Sequence, residues 1–317
     1  MTRFLMLFSA FLLLPAPLLA DKAPPLAADY QAEQVAEGVY VIHGPLGVPS
    51  AGNQGFMNNP AFVVTGAGVV VIDPGSSVQV GEMVLTHVRK VTGQPVVAVF
   101  DTHVHGDHWL GNQAIAEAFP DARIYAHPRM RERVEQGAGE QWLEVMMNMT
   151  EGATAGTRVV NANTPVDEGT EIRIGDVTFR ILHDGKAHTD NDIMILLPER
   201  SVIFLGDNAG HGRMLRLNDA SLAGNMAALE RALASGAKVF VPGHGRTGGP
   251  EAASEYRDYL VALYEGVKEL FEEEISDFEM KPRLLPKLTR WKDWVDFDSL
   301  VGSHVSIAYL EVEAEAF

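Results

Sequence analysis

The chain has 317 residues, 46% of them hydrophobic, enough for one large domain, or a domain with an appendage, around a sizeable core. Lys and Arg number 25 against 42 Asp and Glu, a net charge of −17, which argues against nucleic acid as a partner. No cysteine is present, which excludes disulfides, thiolate-bound zinc, thiol catalysis and a lipidated Cys.

Residues 1–20 carry Arg3, an apolar run from Phe4 to Leu14, then Pro15, Pro17 and Ala20. This is the form of a secretory signal peptide, and its apolar core is too short to span a bilayer comfortably. The expectation is cleavage after Ala20, export to a periplasm or beyond, and no membrane span once the signal is removed. Residues 21–37 read as an N-terminal lead, 38–250 as the main domain, and 251–317 as a helical extension packed on it.

In the main domain, Val39–Ile42 reads as a strand. Residues 43–60 are crowded with Gly, Pro, Ser and Asn and read as a long loop, of the kind that covers a site, with Phe56 and Met57 as its apolar contacts. Strands at Ala61–Thr65 and Val69–Ile72 flank Gly66-Ala67-Gly68, a hairpin signal. Asp73, at the end of the second, can cap the next helix or orient a ligand histidine. Val80–Val91 has helical spacing, and Val96–Phe100 reads as a buried strand.

Residues 101–112 follow, Asp-Thr-His-Val-His-Gly-Asp-His-Trp-Leu-Gly-Asn. Four side chains here suit a transition metal: His103, His105, Asp107 and His108. They are expected on a loop at the carboxyl end of a strand, where open α/β sheets place their sites. Trp109 either walls a pocket or packs inward. Gln113 begins a helix.

Beyond it, Ala122–His127 reads as a strand, with His127 structural or facing the pocket. Arg129–Gln136 and Glu140–Met149 carry helical patterns, and Met146, Met147 and Met149 read as core or lid packing. Residues 150–170 read as a surface connection. Period-two alternation returns at Ile172, Ile174, Val177, Phe179 and Ile181, with a hairpin turn at Gly175-Asp176. Strands are then expected at Ile193–Leu197, Val202–Leu205 and Val239–Val241, with a helix over 220–235. The segments that follow the alternating and later strands bring three more metal-competent residues: His188, Asp207 and His244. Lys186 reads as a solvated residue or a contact for an anionic substrate group. His183 and His211 lie near ligand segments without joining them, and read as structural or as supports for the ligands. Glu255–Glu274 is an acidic amphipathic helix with Tyr259, Leu263, Val267 and Leu270 on one face. The aromatics of 283–310 are expected to pack on the body.

These residues exceed one tetrahedral zinc and suit two. One ion can take His103, His105 and His188. The other can take Asp107, His108 and His244, with Asp207 bridging. Two such cations lower the pKa of a water held between them and polarise a substrate oxygen, so hydrolysis needs no serine nucleophile.

His-Val-His-Gly-Asp-His at 103–108 resembles the HxHxDH signature of the metallo-β-lactamase superfamily. His188, Asp207 in Leu-Gly-Asp, and His244 in Pro-Gly-His-Gly resemble its remaining motifs in order. The resemblance implies an α+β fold, a four-layer αβ/βα sandwich, with two Zn2+ per chain and a small-molecule substrate. It implies a metal-bridging hydroxide oriented by Asp107 that cleaves an ester, lactone, thioester or lactam. Metallo-β-lactamases in the strict sense commonly carry Cys or Ser where Asp207 stands, so the full set is more similar to the glyoxalase II, arylsulfatase and lactonase branches. The exported form, Ala-His-Thr around His188 and the aromatic tail resemble periplasmic zinc metallohydrolases associated with quinoprotein oxidation or bacterial sulfur oxidation. Such a resemblance implies association with a periplasmic redox system. Two alternatives are an iron-dependent, persulfide dioxygenase-like oxidoreductase of the same superfamily and a non-catalytic zinc-binding accessory protein.

Overall fold

The computed structural model describes residues 21–316, so the expected signal peptide lies outside the described residues. Two sheets stand back to back. The first runs in the order β1 (Ala32–Ala36), β2 (Val39–Ile42), β3 (Ala61–Thr65), β4 (Gly68–Ile72), β5 (Val96–Phe100), β6 (Arg123–Ala126) and β7 (Thr164–Pro165). It is antiparallel from β1 to β4 and parallel from there to β7. The second runs β12 (Val239–Gly245), β11 (Val202–His211), β10 (Met194–Leu197), β9 (Val177–Leu182) and β8 (Glu171–Ile174), antiparallel except for the parallel β11–β12 pair.

Three apolar cores explain the layering. Successive side chains on a strand point to opposite faces. Val70 and Ile72 of β4 therefore enter the core between the sheets with Ile195, Leu197, Val202 and Phe204 of the second sheet. Val69 and Val71 face the other way, into a core with Val80, Val84 and Val88 of α1 (Val78–Val91) and Ile115 of α3 (Asn112–Ala118). On the second sheet Met194, Leu196, Ile203 and Leu205 face α6 (Leu222–Ala234), α7 (Glu251–Glu272) and α9 (Phe297–Ala316). Strands apolar on both faces need cover on both, and helices supply it outside each sheet. The result is the α+β, four-layer αβ/βα sandwich.

Several local features differ from the sequence reading. β1 lies within residues 21–37 and extends the first sheet by pairing with β2. A two-residue strand, β7, crosses the stretch read as a surface connection. Asp107 and His108 stand on a single helical turn, α2 (Gly106–Trp109), not on open loop. The 129–136 helix ends early: α4 (Pro128–Arg133) passes through a wide turn with Gly137 at φ 103° into α5 (Gly139–Met149). α8 (Asp277–Leu284) precedes the last helix. Among the described residues no helix is long and apolar enough to cross a membrane.

Candidate metal centre

β5 ends at Phe100, and the chain then turns across the edge of the first sheet. His103 and His105 stand on this turn, and Asp107 and His108 on α2. The second sheet contributes the rest. β11 and β12 do not stop at Leu205 and Val241: both continue as irregular strands through Asp207 and His244, with register shifts at Phe204/Gly206 and Gly206/Gly210. The backbone ladder thus holds both side chains rigidly, rather than leaving them at frayed strand ends. Gly243 makes room, because a Cβ there would lie 2.0 Å from Asp207 Oδ1.

The side chains form two adjoining groups, His103, His105, His188 and Asp207 in one, Asp107, His108 and His244 in the other. In the first, His188 Nε2 lies 3.1 Å from His105 Nδ1. In the second, His244 Nε2 lies 3.1 Å and His108 Nε2 3.5 Å from Asp107 Oδ2. Asp207 joins them: Oδ1 is 3.3 Å from His108 Nε2, and Oδ2 is 3.4 Å from His244 Nε2 and 3.7 Å from His188 Nε2. Such spacings match the edges, about 3.3 Å, of a tetrahedron of nitrogen and oxygen ligands about 2.0 Å from a zinc ion.

Hydrogen bonds at the outer ring nitrogens aim the inner ones. His108 Nδ1 donates to Asp73 Oδ2 at 2.8 Å. His103 Nδ1 donates to Thr102 Oγ1 at 3.0 Å, and that hydroxyl donates to Asp73 Oδ2 at 2.7 Å. His105 Nε2 donates to Asp219 Oδ2 at 3.2 Å. His244 Nδ1 lies 2.8 Å from the Met57 carbonyl and 3.1 Å from Arg213 Nη1. A carbonyl can only accept, so the proton sits on Nδ1, and the guanidinium is a charge neighbour rather than a donor to that nitrogen. Each arrangement leaves a lone pair on the nitrogen that faces inward, the tautomer a metal requires.

Asp73 therefore orients ligand histidines. The helix-capping role falls to Ser77, whose side chain accepts from Val80 N–H. Asp73 adopts φ 49°, a left-handed conformation uncommon outside glycine, held by Thr102 N–H on Oδ1 at 2.8 Å.

The electrostatics fit a cation site. His103 Nε2, His108 Nε2 and Asp207 Oδ1 are buried with no hydrogen-bond partner, which is costly unless something fills the centre. Burial would raise Asp207, but His244 and His108 hold it well below the usual carboxylate range. Asp107 is likewise held low, chiefly by His108 and His244 against the cost of burial. Burial lowers His108 and His244, yet the facing carboxylates outweigh it and raise both above 6.5. His103 and His188 are pushed down, mainly by burial, His188 to about 3. Two buried carboxylates thus draw positive charge, as protons on His108 and His244 or as a metal ion that displaces them, and His103 and His188 offer neutral lone pairs.

The centre floors a cleft of about 390 Å³ that reaches His105, Asp107, His188, Asp207 and His244. Its walls are mostly apolar, with Val48, Pro49 and Met57 from the 43–60 loop, Trp142, Val145 and Met149 from α5, and Met214, Leu215 and Leu300 opposite, and Arg213, Arg216 and Asp296 add charge to the lining. The loop is pinned where it passes the centre: Asn59 Nδ2 donates to Pro242 O and Gly245 O at 2.9 and 2.8 Å. Phe56 packs edge-on to Tyr30, 4.6 Å between centroids, rather than into the cleft. Trp109 is fully buried and donates to Val104 O, so it packs inward. Lys186 and Arg133 line a second cleft that shares His105 and Trp142 with the first. His211 is held by Arg246 O at 2.8 Å, outside the ligand groups.

Sequence reasoning passed over Asp219, Thr102, Asn59, Arg213 and Trp142. A lone Asp, Thr or Asn in a loop carries no periodic signal, and partners 114 and 186 residues away in sequence cannot be read from spacing.

Two sheets back to back with helices outside, and a buried His/Asp cluster at their shared edge, define a metallohydrolase-type sandwich. The chain belongs to the metallo-beta-lactamase superfamily, whose family model matches residues 54–244. It is 26% identical over 163 residues to an atrochrysone carboxyl ACP thioesterase of Emericella nidulans, covering 50% of this chain and 43% of that protein. It is 24% identical over 146 residues to a hydroxyacylglutathione hydrolase of Francisella tularensis, covering 45% of each. These matches span less than half the length of either relative. Among solved structures, a metallo-beta-lactamase from Pontibacter korlensis superposes with TM-score 0.58 at 20% identity, covering 74% of this chain and 99% of that one. A stereoselective inverting sec-alkylsulfatase from a Pseudomonas species superposes with TM-score 0.69 at 15% identity, covering 88% of this chain and 50% of that one. At such identities the likeness shows the fold.

Proposed function

We propose that the protein is an exported hydrolase that holds two zinc ions and cleaves an ester, thioester, lactone or lactam-type bond. The observation that carries this is the convergence of unpartnered, buried imidazole nitrogens and an Asp207 carboxylate oxygen on the floor of a mostly apolar cleft. Their donor set, imidazole and carboxylate without thiolate, suits zinc or a neighbouring divalent ion. His103, His105 and His188 would hold one ion, Asp107, His108 and His244 the other, and Asp207 would lie between them.

Bound metal supplies Lewis acidity and an activated water. The chain's own residues do the rest. Asp107 lines the cleft, where its carboxylate would accept a hydrogen bond from the attacking water and fix its direction. The apolar walls take the acyl portion of the substrate and exclude bulk water, which strengthens every charge interaction on the floor. One relative is named a thioesterase and another a hydroxyacylglutathione hydrolase, which puts acyl thioesters first among the candidate bonds. Export rests on the form of residues 1–20, and association with a periplasmic redox system on the resemblance of the tail and the His188 segment.

The test is metal analysis of purified protein together with turnover on thioester, lactone, ester, β-lactam and sulfate-ester panels. Two zinc ions per chain and hydrolysis of an acyl bond are expected. One iron per chain with no zinc, or zinc-loaded protein that turns over none of the panel, overturns the reading.

A further inference from the structure

His127, Asp167 and His183 form a third cluster away from the cleft floor, and their candidate ligand atoms all lie within 4.8 Å of one another. The three come from distant parts of the chain. His127 follows β6, Asp167 follows β7, and His183 follows β9 of the other sheet. The two imidazoles stack with centroids 4.1 Å apart and an interplanar angle of 26°.

The ring nitrogens carry the inference. His183 Nδ1 donates to the Asp192 carbonyl at 2.7 Å, which fixes the proton there and leaves a lone pair on Nε2. A backbone carbonyl on the outer nitrogen is the usual support for a metal-binding histidine. His127 Nε2 lies 3.3 Å from Asp167 Oδ1, so its other partner is already a carboxylate. His127 Nδ1 faces Arg129 N–H at 3.2 Å. Freeing Nε2 moves the ring proton to Nδ1, where it meets the Arg129 N–H donor, so an ion on Nε2 must displace this 3.2 Å cap at the start of α4. The cluster then offers two imidazole nitrogens and one carboxylate oxygen, and Asp167 is exposed to solvent.

We propose that His127, His183 and Asp167 form a third metal site, selective for a borderline first-row divalent ion such as Zn2+ over Mg2+ or Ca2+. Two imidazoles with one carboxylate favour such ions over hard cations, which take oxygen ligands. The half-open coordination makes it weaker than the enclosed central groups. Its place gives it a structural task. Asp192, whose carbonyl holds His183, also takes Thr189 N–H and Oγ1 on its carboxylate at 2.6 and 2.8 Å, and Thr189 adjoins His188. An ion here staples β6 to the segment that delivers His188.

The experiment is equilibrium dialysis of the full chain, already holding its tightly bound metal, against buffered Zn2+, with metal counted per chain. Wild type is expected to gain one further, weaker equivalent. Asp167→Asn with His183→Phe keeps the stacked ring and removes two ligands. It is expected to lose that equivalent, or bind it at least about tenfold more weakly, while keeping the tight metal and basal turnover. Asp167→Asn alone alters an exposed side chain and guards against a folding defect in the double variant. The site is refuted if wild type gains no further equivalent, or if both variants take it up as tightly as wild type. Neither result touches the central groups, whose metal is counted separately.

Discussion

Asp73 is the residue whose replacement most cleanly tests the centre. Its carboxylate accepts from Thr102 N–H, Thr102 Oγ1 and His108 Nδ1 at 2.8, 2.7 and 2.8 Å, and through Thr102 it steers His103. Asp73→Asn is close to isosteric, and Asn tolerates the left-handed φ of 49°, so the backbone is spared. The amide cannot accept on both of its outer atoms. Wherever its NH2 faces His108 Nδ1, two donors collide, the imidazole proton moves to Nε2, and the inward lone pair is lost. One ligand in each group is disturbed by a single atom exchange. Loss of such an orienting partner costs about 10- to 100-fold in metal affinity, roughly 1.4–2.7 kcal/mol. Dialysis against graded chelator, with metal counted per chain and circular dichroism confirming the fold, measures this. A variant with native fold and unchanged affinity refutes the role assigned to Asp73.

Further outcomes follow from the same geometry. Asp107→Ala is expected to cut hydrolysis by about 10²-fold or more and to loosen metal at the His108 and His244 group; full retained activity speaks against the mechanism. Stripping metal leaves His103, His108 and Asp207 with unpartnered buried atoms, so unfolding scanned by calorimetry should shift down by several degrees. That corresponds to about 2.7 kcal/mol at ion concentrations 100-fold above Kd. Trp142→Ala removes an apolar wall shared by both clefts and is expected to raise KM for long acyl substrates about tenfold with little change in kcat; an effect confined to kcat contradicts a binding role.

The C-terminal core carries its own pH signature. His304 is buried, its Nδ1 accepts from Tyr259 O–H at 2.7 Å, and burial lowers its pKa to about 4. Its pKa in the unfolded chain is about 6.5, so between these values the unfolded state binds more protons. The contribution of neutral His304 is complete above pH 6.5 and is lost as pH falls towards 4, up to about 3 kcal/mol. Denaturant titrations at pH 7 and 4.5 should show a shallower loss for His304→Gln than for wild type, and equal slopes would remove this assignment.

How much was legible in the chain varies by residue. The strands were, because Val69 to Ile72 and Val202 to Leu205 are apolar on both faces and flanked by turn residues. The dense cluster at 103–108 was legible because no structural role calls for three histidines and an aspartate in six positions. Asp73 was legible only as a choice between a helix cap and an orienting partner. Ser77, four residues on, could also cap, and the tie was broken by packing the first sheet's edge against α2. The extension of β11 through Asp207 was not legible, since Gly206, Asn208 and Gly210 look like turn residues until β12 pairs alongside. His127 was legible only as structural or facing the pocket, and His183 only as structural or supporting a ligand, because their contact crosses from one sheet to the other.

Residue type and spacing determined most strands and helices and the kinds of atom that gather at the centre, since periodic burial and donor chemistry are local properties of the chain; the layering followed from the resemblance of the metal motifs. The tertiary structure alone decided which nitrogen of His103, His105, His108 and His244 faces inward, because that depends on the partner at the other nitrogen. Asp73, Met57 and Asp219 come from different segments, and folding brings each to its histidine. It also decided the cleft walls and the His127–His183 stack, which exist only once the two sheets meet.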